Sequence, residues 1–216
     1  MDTATVIGGV AAAGFAAGDW WAVARQRRAV EYVCKPAATA ALLAVAATLP
    51  DAPAPAQACF VVALALCLVG DVCLMLPERP GRRDGFVAGL AAFLLAHVAF
   101  AVGFVTRGVT ALGVVVGVVV IVAVAGPLAA RFVGALRRGG HRDLVVPVLA
   151  YLVAISATWV TAVGAGNGWG IAGAGLFVAS DALIAETRFV GERRGVPVAI
   201  MVTYYLALAA LVASLA

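Results

Sequence analysis

Eight long apolar runs follow one another along this chain, and they restrict what it can fold into. A helix needs about 20 apolar residues to cross the hydrocarbon core of a bilayer. Hydrophobic residues make up 64% of the 216 residues and charged residues only 12%, which is far from the composition of soluble domains. The sequence therefore predicts an integral membrane protein. The runs lie at about 3–23, 33–49, 58–76, 86–105, 109–130, 144–163, 171–187 and 197–215.

The spans are predicted to be helices. A lipid-exposed strand cannot satisfy its backbone polar groups unless it closes into a barrel, and barrel strands alternate between apolar and polar residues. The runs here are continuously apolar. We therefore predict an all-α bundle of about eight transmembrane helices that forms a single domain over residues 1–216. The first run is longer than the apolar region of a signal peptide, so we interpret it as a retained span.

Arginine clusters alternate with the spans and predict the topology. They follow runs one, three, five and seven, whereas Arg107 is the only basic residue in the intervening loops. By the positive-inside rule the clustered loops are cytoplasmic and both termini are outside. The Ala-, Val-, Gly- and Arg-rich composition suggests a bacterium with a GC-rich genome. The expected location is therefore the inner membrane of a bacterium. The sequence has no basic stripe with interleaved aromatic residues, so nucleic acid is not a predicted partner. The clusters are Arg25, Arg27 and Arg28; Arg79, Arg82 and Arg83; Arg131, Arg137, Arg138 and Arg142; and Arg188, Arg193 and Arg194.

A short internal similarity suggests a repeat. The segment 69–74 in run three matches the segment 179–184 in run seven, and the aspartates Asp71 and Asp181 align within it. An even number of spans restores the chain direction, so two four-helix halves in the same orientation would explain the match. The predicted halves are residues 1–108 and 109–216.

The two aspartates are the main candidate functional residues. Asp71 lies about five residues from the basic end of run three, and Asp181 lies about six from the basic end of run seven. A charged side chain that faces lipid near the bilayer centre costs about 2.5–3.5 kcal/mol, so both should point into the bundle. The alternative is that they only form hydrogen bonds between helices.

Other polar side chains lie at comparable depth. Lys35 begins run two, with Thr39 one turn deeper on the same face; it is either the counter-ion of an aspartate or a residue that snorkels to the interface. His97 shares its helix face with bulky apolar residues, so it should face inward, where it either fills the core or orients a carboxylate or a water. Phenol hydroxyls need partners, and the aspartates are candidates. The tyrosines in question are Tyr151, Tyr204 and Tyr205.

Because these residues lie at similar depth in the membrane, they predict one polar pocket in the cytoplasmic half of the bundle. Such a pocket suits an amphiphile or a small solute that enters from the cytoplasmic leaflet. A metal site is not predicted, because the other histidine, His141, falls in a loop. Asp19 and Glu186 are the remaining acidic residues closest to the pocket. Its predicted members are Lys35, Asp71, His97, Asp181 and Tyr204.

The same residues belong to an ordered series of short motifs: Lys35-Pro36, Gly70-Asp71, Phe86-x-x-Gly89-Leu90-x-x-Phe93-x-x-x-His97, Gly173-x-x-x-Phe177-x-x-Ser180-Asp181 and Tyr204-Tyr205. In order, spacing and eight-span layout this series resembles the YhhN family of lysoplasmalogenase-like proteins, over nearly the whole chain. One departure is Ala207, where the family pattern has a glutamine after the paired tyrosines.

The resemblance implies a hydrolase that cleaves the vinyl ether bond of a lysoplasmalogen to a fatty aldehyde and a glycerophospho-alcohol. Asp71 and Asp181 are then expected to be the acid and the base, in either order. The expected partners are a lysophospholipid substrate and the bilayer, with no metal or organic cofactor. Residues expected to bind substrate or tune the carboxyls are Lys35, His97, Tyr151, Ser180, Tyr204 and Tyr205.

Two other functions remain open at this point. A transporter or channel for a small solute would use the aspartates as proton or cation sites within the two-fold repeat. A non-catalytic lipid-binding or structural membrane protein would use them only to join helices.

Overall fold

The structure, a computed structural model, describes residues 3–76, 84–191 and 193–216. Within them the chain forms eight α-helices and no strand, and each helix is long and apolar enough to cross a membrane. The predicted all-α bundle with eight spans is therefore confirmed. The predicted loop residues Arg79, Arg82 and Arg83 lie outside the described residues. The helices are α1 (Thr3–Ala24), α2 (Arg28–Thr48), α3 (Ala54–Met75), α4 (Asp84–Thr106), α5 (Ala111–Arg138), α6 (Val145–Ala165), α7 (Gly168–Phe189) and α8 (Val196–Ala213).

Several helices extend beyond the apolar runs that predict them. Helix α2 begins at Arg28 rather than near residue 33, and α5 continues to Arg138 rather than ending near residue 130. Hydropathy detects only the part of a helix that lies in hydrocarbon, whereas the backbone hydrogen bonds continue into the interface, where arginines reach water. Side chains cap two helices at the other end of the bundle: Thr110 accepts from the Gly113 N–H at 3.2 Å and Asn167 from the Gly170 N–H at 2.9 Å.

The helices pack as four consecutive hairpins, α1 with α2, α3 with α4, α5 with α6 and α7 with α8. Between the halves of the chain, α2 contacts α8 and α6 contacts α4. If α1–α4 are superposed in order on α5–α8, the first of these contacts becomes the second, but the packing of α1 on α8 has no equivalent between α5 and α4. The two-fold repeat therefore stays a prediction. Helix α8 is the most enclosed span and α5 the least, which leaves α5 at the edge of the bundle.

The loops alternate between the two ends of the bundle, as the arginine pattern predicts. At one end, the Arg107 guanidinium and the Asn167 side chain both donate to the Ser214 carbonyl. These contacts join the loops after α4 and α6 to the end of α8. At the other end, Arg131 on α5 forms two hydrogen bonds with Glu186 on α7, at 2.8 and 2.5 Å.

Helices α7 and α8 are in backbone contact. A Cβ atom added to Gly173 would lie 2.9 Å from the Leu211 nitrogen and 3.0 Å from the Ala207 carbonyl oxygen, which is closer than packed atoms tolerate. Ala207 is fully buried beside this contact. The close approach holds α8, with its two tyrosines, against the helix that carries Asp181.

Candidate functional site

Asp71 is the centre of a fully buried polar cluster. It lies on α3 with 1% of its surface exposed. Its Oδ2 accepts hydrogen bonds from the hydroxyls of Thr39 on α2, at 2.7 Å, and Tyr204 on α8, at 2.8 Å. The Lys35 ammonium lies 3.7 Å from Oδ1. Of the two roles predicted for Lys35, the structure therefore supports the counter-ion.

Asp181 is the centre of a second cluster. Its Oδ2 accepts a 2.6 Å hydrogen bond from the Tyr151 hydroxyl on α6 and lies 3.2 Å from His97 Nε2 on α4. The other ring nitrogen, Nδ1, lies 3.2 Å from the Thr158 hydroxyl, which also donates to the His97 carbonyl at 2.9 Å. His97 thus orients a carboxylate, one of its predicted roles. Among the residues that the structure describes, Oδ1 of Asp181 has no hydrogen-bond donor.

The predicted pocket residues form two hydrogen-bond clusters, and Cys67 lies within electrostatic range of both aspartates; one shared pocket stays a prediction. The ring of Phe177 packs against a member of each cluster, with its centroid 4.5 Å from that of His97 and 5.7 Å from that of Tyr204. Depth along a helix, which is what the sequence reveals, is similar for both aspartates. Their partners differ, because the Asp71 carboxyl meets side chains of α2 and α8 whereas the Asp181 carboxyl meets side chains of α6 and α4.

The two clusters have similar positions in the two halves of the chain. Each aspartate lies on the third helix of its half. It accepts a hydrogen bond from a hydroxyl on the second helix of that half, α2 for Asp71 and α6 for Asp181. Each is also contacted by the last helix of the other half, α8 for Asp71 and α4 for Asp181. The partners themselves differ: Asp71 has a lysine beside it, whereas Asp181 has a histidine.

Tyr205 belongs to neither cluster. Its hydroxyl donates at 2.9 Å to Asp19 on α1, which is fully buried. Oδ1 of Asp19 has no hydrogen-bond partner among the described residues. Ser180 is also apart from both aspartates, since its hydroxyl donates at 3.2 Å to the Ile200 carbonyl on α8. Glu186 pairs with Arg131 and approaches Arg193 at 3.6 Å.

A cavity of about 80 Å³ reaches Asp181 but not Asp71. Helices α3 to α7 line it, and almost all of its wall is apolar. Asp181 and Tyr151 lie in this wall, and Arg188 lies in it at the end of α7. Lys35, Asp71 and Tyr204 do not line it. A molecule in the cavity would therefore meet one carboxyl.

Sequence reasoning missed two contributors to this site. Thr158 lies two turns after Tyr151, hence on the same face of α6, and this spacing was available as a signal. Arg188 likewise lies two turns after Asp181 on α7, but the sequence pattern assigns it to a loop. In the described part of the chain, no group of three or more His, Cys, Asp or Glu residues is arranged to hold a metal ion.

Comparison with known proteins places the chain in a family. The profile of the YhhN family matches residues 30–215, from the start of α2 to the end of the chain. Helix α1, which carries Asp19, lies outside the matched range. No curated protein and no solved structure matches the chain. Because the match covers most of the sequence and includes both aspartate clusters, this protein belongs to the YhhN family.

Proposed function

We propose that this protein hydrolyses the vinyl ether bond of lysoplasmalogens, releasing a fatty aldehyde and a glycerophospho-alcohol, with Asp181 as the carboxyl that meets the substrate. Membership of the YhhN family and the lysoplasmalogenase-like motifs support this activity. The observation that carries it is the apolar, partly open cavity lined by α3 to α7, with one carboxyl in its wall. An apolar wall of this kind matches the hydrocarbon chain of an amphiphile.

The cavity favours a lipid over a hydrated solute. Of the side chains that line it, only those of Tyr151, Ser156, Asp181 and Arg188 carry a strongly polar group. An ion or sugar would lose its hydration there and regain few hydrogen bonds, at a cost of several kcal/mol. An alkenyl chain loses nothing by leaving water. This argues against the transporter alternative.

Hydrolysis of a vinyl ether begins with protonation of one of its carbon atoms. Asp181 donates its carboxyl proton to the β-carbon of the vinyl ether, forming a C–H bond and leaving an oxocarbenium ion. Water then adds to the α-carbon while the Asp181 carboxylate accepts a proton from it. The resulting hemiacetal splits into aldehyde and alcohol as its hydroxyl proton passes to the departing glycerol oxygen. One carboxyl can serve in turn as acid and base, as microscopic reversibility permits.

His97 and Tyr151 fit the two states that this cycle requires. The Thr158 hydroxyl donates its proton to the His97 carbonyl, so towards the ring it accepts a hydrogen bond from Nδ1–H. Nε2 of the neutral ring then accepts from the protonated Asp181 carboxyl, and Nε2–H of the charged ring donates to the carboxylate, so both hydrogen bonds of the ring persist in the two states. The Tyr151 hydroxyl stabilises the carboxylate form, because hydrogen bonds to a charged oxygen are the stronger ones.

Asp71 has a different part in this proposal. Its Tyr204 partner packs edge-on against Phe93, with ring centroids 6.0 Å apart, and Phe93 lines the cavity. We assign Asp71, with Lys35, Thr39 and Tyr204, to positioning this wall. Asp71 does not line the cavity, so we give it no contact with the substrate.

The proposed site of action is a bacterial inner membrane with both termini outside. The arginine-rich end of the bundle then faces the cytoplasm, and the Arg188 end of the cavity lies in the cytoplasmic leaflet.

The test is aldehyde release by the purified protein in detergent, supplied with lysoplasmenyl-ethanolamine or with its ester-linked counterpart. We expect aldehyde from the vinyl ether only. In D₂O the aldehyde should carry one deuterium on its second carbon, since the added proton comes from solvent through Asp181. Aldehyde added to enzyme in D₂O controls for later exchange. Folded protein that releases no aldehyde would refute the proposal.

A further inference from the structure

The cavity beside Asp181 is too small to enclose a lipid chain. Its volume is about 80 Å³, whereas pockets that enclose a small organic ligand measure about 300–1,000 Å³. Because the surrounding side chains are closely packed, a lipid chain can be enclosed there only if one wall of the cavity moves outwards. Helices α3 to α7 form the walls, and they are not held equally firmly.

Helix α5 is the wall that is held least. It is the least enclosed of the described helices, and it packs mainly on α6 while touching α7 over a shorter stretch. One stripe of α5 lines the cavity, and the opposite side of the helix is exposed. A single helix therefore stands between the cavity and the hydrocarbon of the bilayer. The stripe consists of Ile121, Ala125, Leu128 and Phe132, and the exposed side includes Val115, Val116 and Val119.

Two features allow the second half of α5 to separate from α7. Pro127 lies inside α5, and because proline has no backbone N–H, the Ala123 carbonyl lacks its usual helical donor. One turn later, the Arg131 guanidinium donates two hydrogen bonds to the Glu186 carboxylate on α7, at 2.8 and 2.5 Å. About half of the Arg131 side chain is exposed. Exposed ion pairs contribute little to stability, so this contact can break and re-form at low cost.

We propose that a single-chain lipid enters the cavity from the bilayer, between α5 and α7, and that the Arg131–Glu186 pair is the latch of this lateral opening. This inference rests on the proposed function, because it supplies the route by which that substrate reaches Asp181. Helix α5 bends at Pro127, the latch opens, and the hydrocarbon chain passes into the space beside the apolar stripe. Along this route the chain stays among apolar groups, whereas entry from the aqueous end would expose it to water, which is unfavourable.

A reversible cross-link tests the route through lipid binding, without any turnover. In the double variant Arg131→Cys, Glu186→Cys, a short bis-methanethiosulfonate joins the two positions and a thiol reductant releases them. The probe is a non-hydrolysable 1-O-alkyl lysophosphatidylethanolamine, and its association with the purified protein in lipid nanodiscs is followed over time. We expect association to be about tenfold or more slower after cross-linking and to recover fully after reduction. Cross-linked protein that binds at the untreated rate would overturn the inference.

Two controls separate the lateral opening from a general loss of flexibility. Each single variant, treated with the same reagent, should bind at its untreated rate. Gly18→Cys offers a disulfide between α1 and α2, since a Cβ atom at Gly18 would lie 3.9 Å from that of Cys34, within the range of a disulfide. None of the described residues of α1 and α2 lines the cavity, so this disulfide should leave association unchanged.

The outcomes also distinguish this inference from the proposed hydrolysis. Equal slowing by the disulfide between α1 and α2 would overturn the assignment of the opening to α5 and α7. Association that depends on the cross-link, in protein that releases no aldehyde, would support the lateral opening and refute only the hydrolysis.

Discussion

The Tyr151 hydroxyl donates a 2.6 Å hydrogen bond to Oδ2 of Asp181, and both side chains line the apolar cavity. The two residues lie on neighbouring helices, α6 and α7, so the hydrogen bond fixes the carboxyl relative to the cavity wall. With His97 on the same oxygen, Oδ1 is left to face a substrate. This arrangement gives a reactive carboxyl one engaged and one available oxygen.

Tyr151→Phe removes that hydrogen bond and keeps the ring. Because a hydrogen bond to a charged group contributes about 1.5–3 kcal/mol, we expect kcat to fall roughly ten- to a hundredfold with little change in KM. Aldehyde release under saturating substrate measures this. Tyr32→Phe is the matched control, since its hydroxyl donates to the Met75 carbonyl away from the cavity. Equal losses in both variants would contradict the role given to Tyr151.

Lys35→Met leaves Asp71 as a buried charge without its cation. Breaking a buried ion pair from one side typically costs about 3–5 kcal/mol, so the variant should unfold at markedly lower denaturant concentration. Adding Asp71→Asn should recover part of this loss, because the uncompensated carboxylate is then gone. Arg193→Gln breaks the exposed contact with Glu186 and should cost less than about 1 kcal/mol. Additive losses in the double variant would mean that Lys35 and Asp71 are not coupled.

The sequence was sufficient for the eight helices and for the depth of the polar residues, because both depend on local hydropathy. It also placed Lys35 and Thr39 on one face of α2, and both contact Asp71. It could not assign Tyr204 to Asp71 and Tyr205 to Asp19, because adjacent residues point in directions 100° apart and only the helix arrangement decides what each meets. The grouping of polar residues around each aspartate had the same cause: depth is similar for Asp71 and Asp181, but their hydrogen-bond partners come from different helices.

Gly173→Ala tests the close contact between α7 and α8. The added methyl group would meet the backbone of α8 at 2.9–3.0 Å, which a side-chain rotation cannot relieve. We expect a loss of about 1–3 kcal/mol in unfolding free energy, measured by denaturant titration. Gly168→Ala, on the first turn of the same helix with open space around it, should be neutral or slightly stabilising. A neutral Gly173→Ala would contradict the packing described here.

The proposed topology predicts the location of fused reporters. A reporter attached after Ala216 should be exposed outside the cytoplasmic membrane, and one inserted at the Gly139-Gly140 turn between α5 and α6 should be cytoplasmic. Paired reporters active on opposite sides of the membrane measure this. A cytoplasmic signal from Ala216 together with an external one from Gly139-Gly140 would invert the topology and move the Arg188 end of the cavity to the outer leaflet.

The central claim is that Asp181 is the carboxyl that reacts with the substrate, and its most direct test is the aldehyde-release rate of Asp181→Asn. Loss of a general acid and base typically slows a reaction about 10²- to 10⁴-fold, and we predict a loss in that range with unchanged binding of a non-hydrolysable 1-O-alkyl lysophospholipid. Asp51→Asn, at an exposed turn, should retain full activity. Wild-type turnover by folded Asp181→Asn would contradict the account.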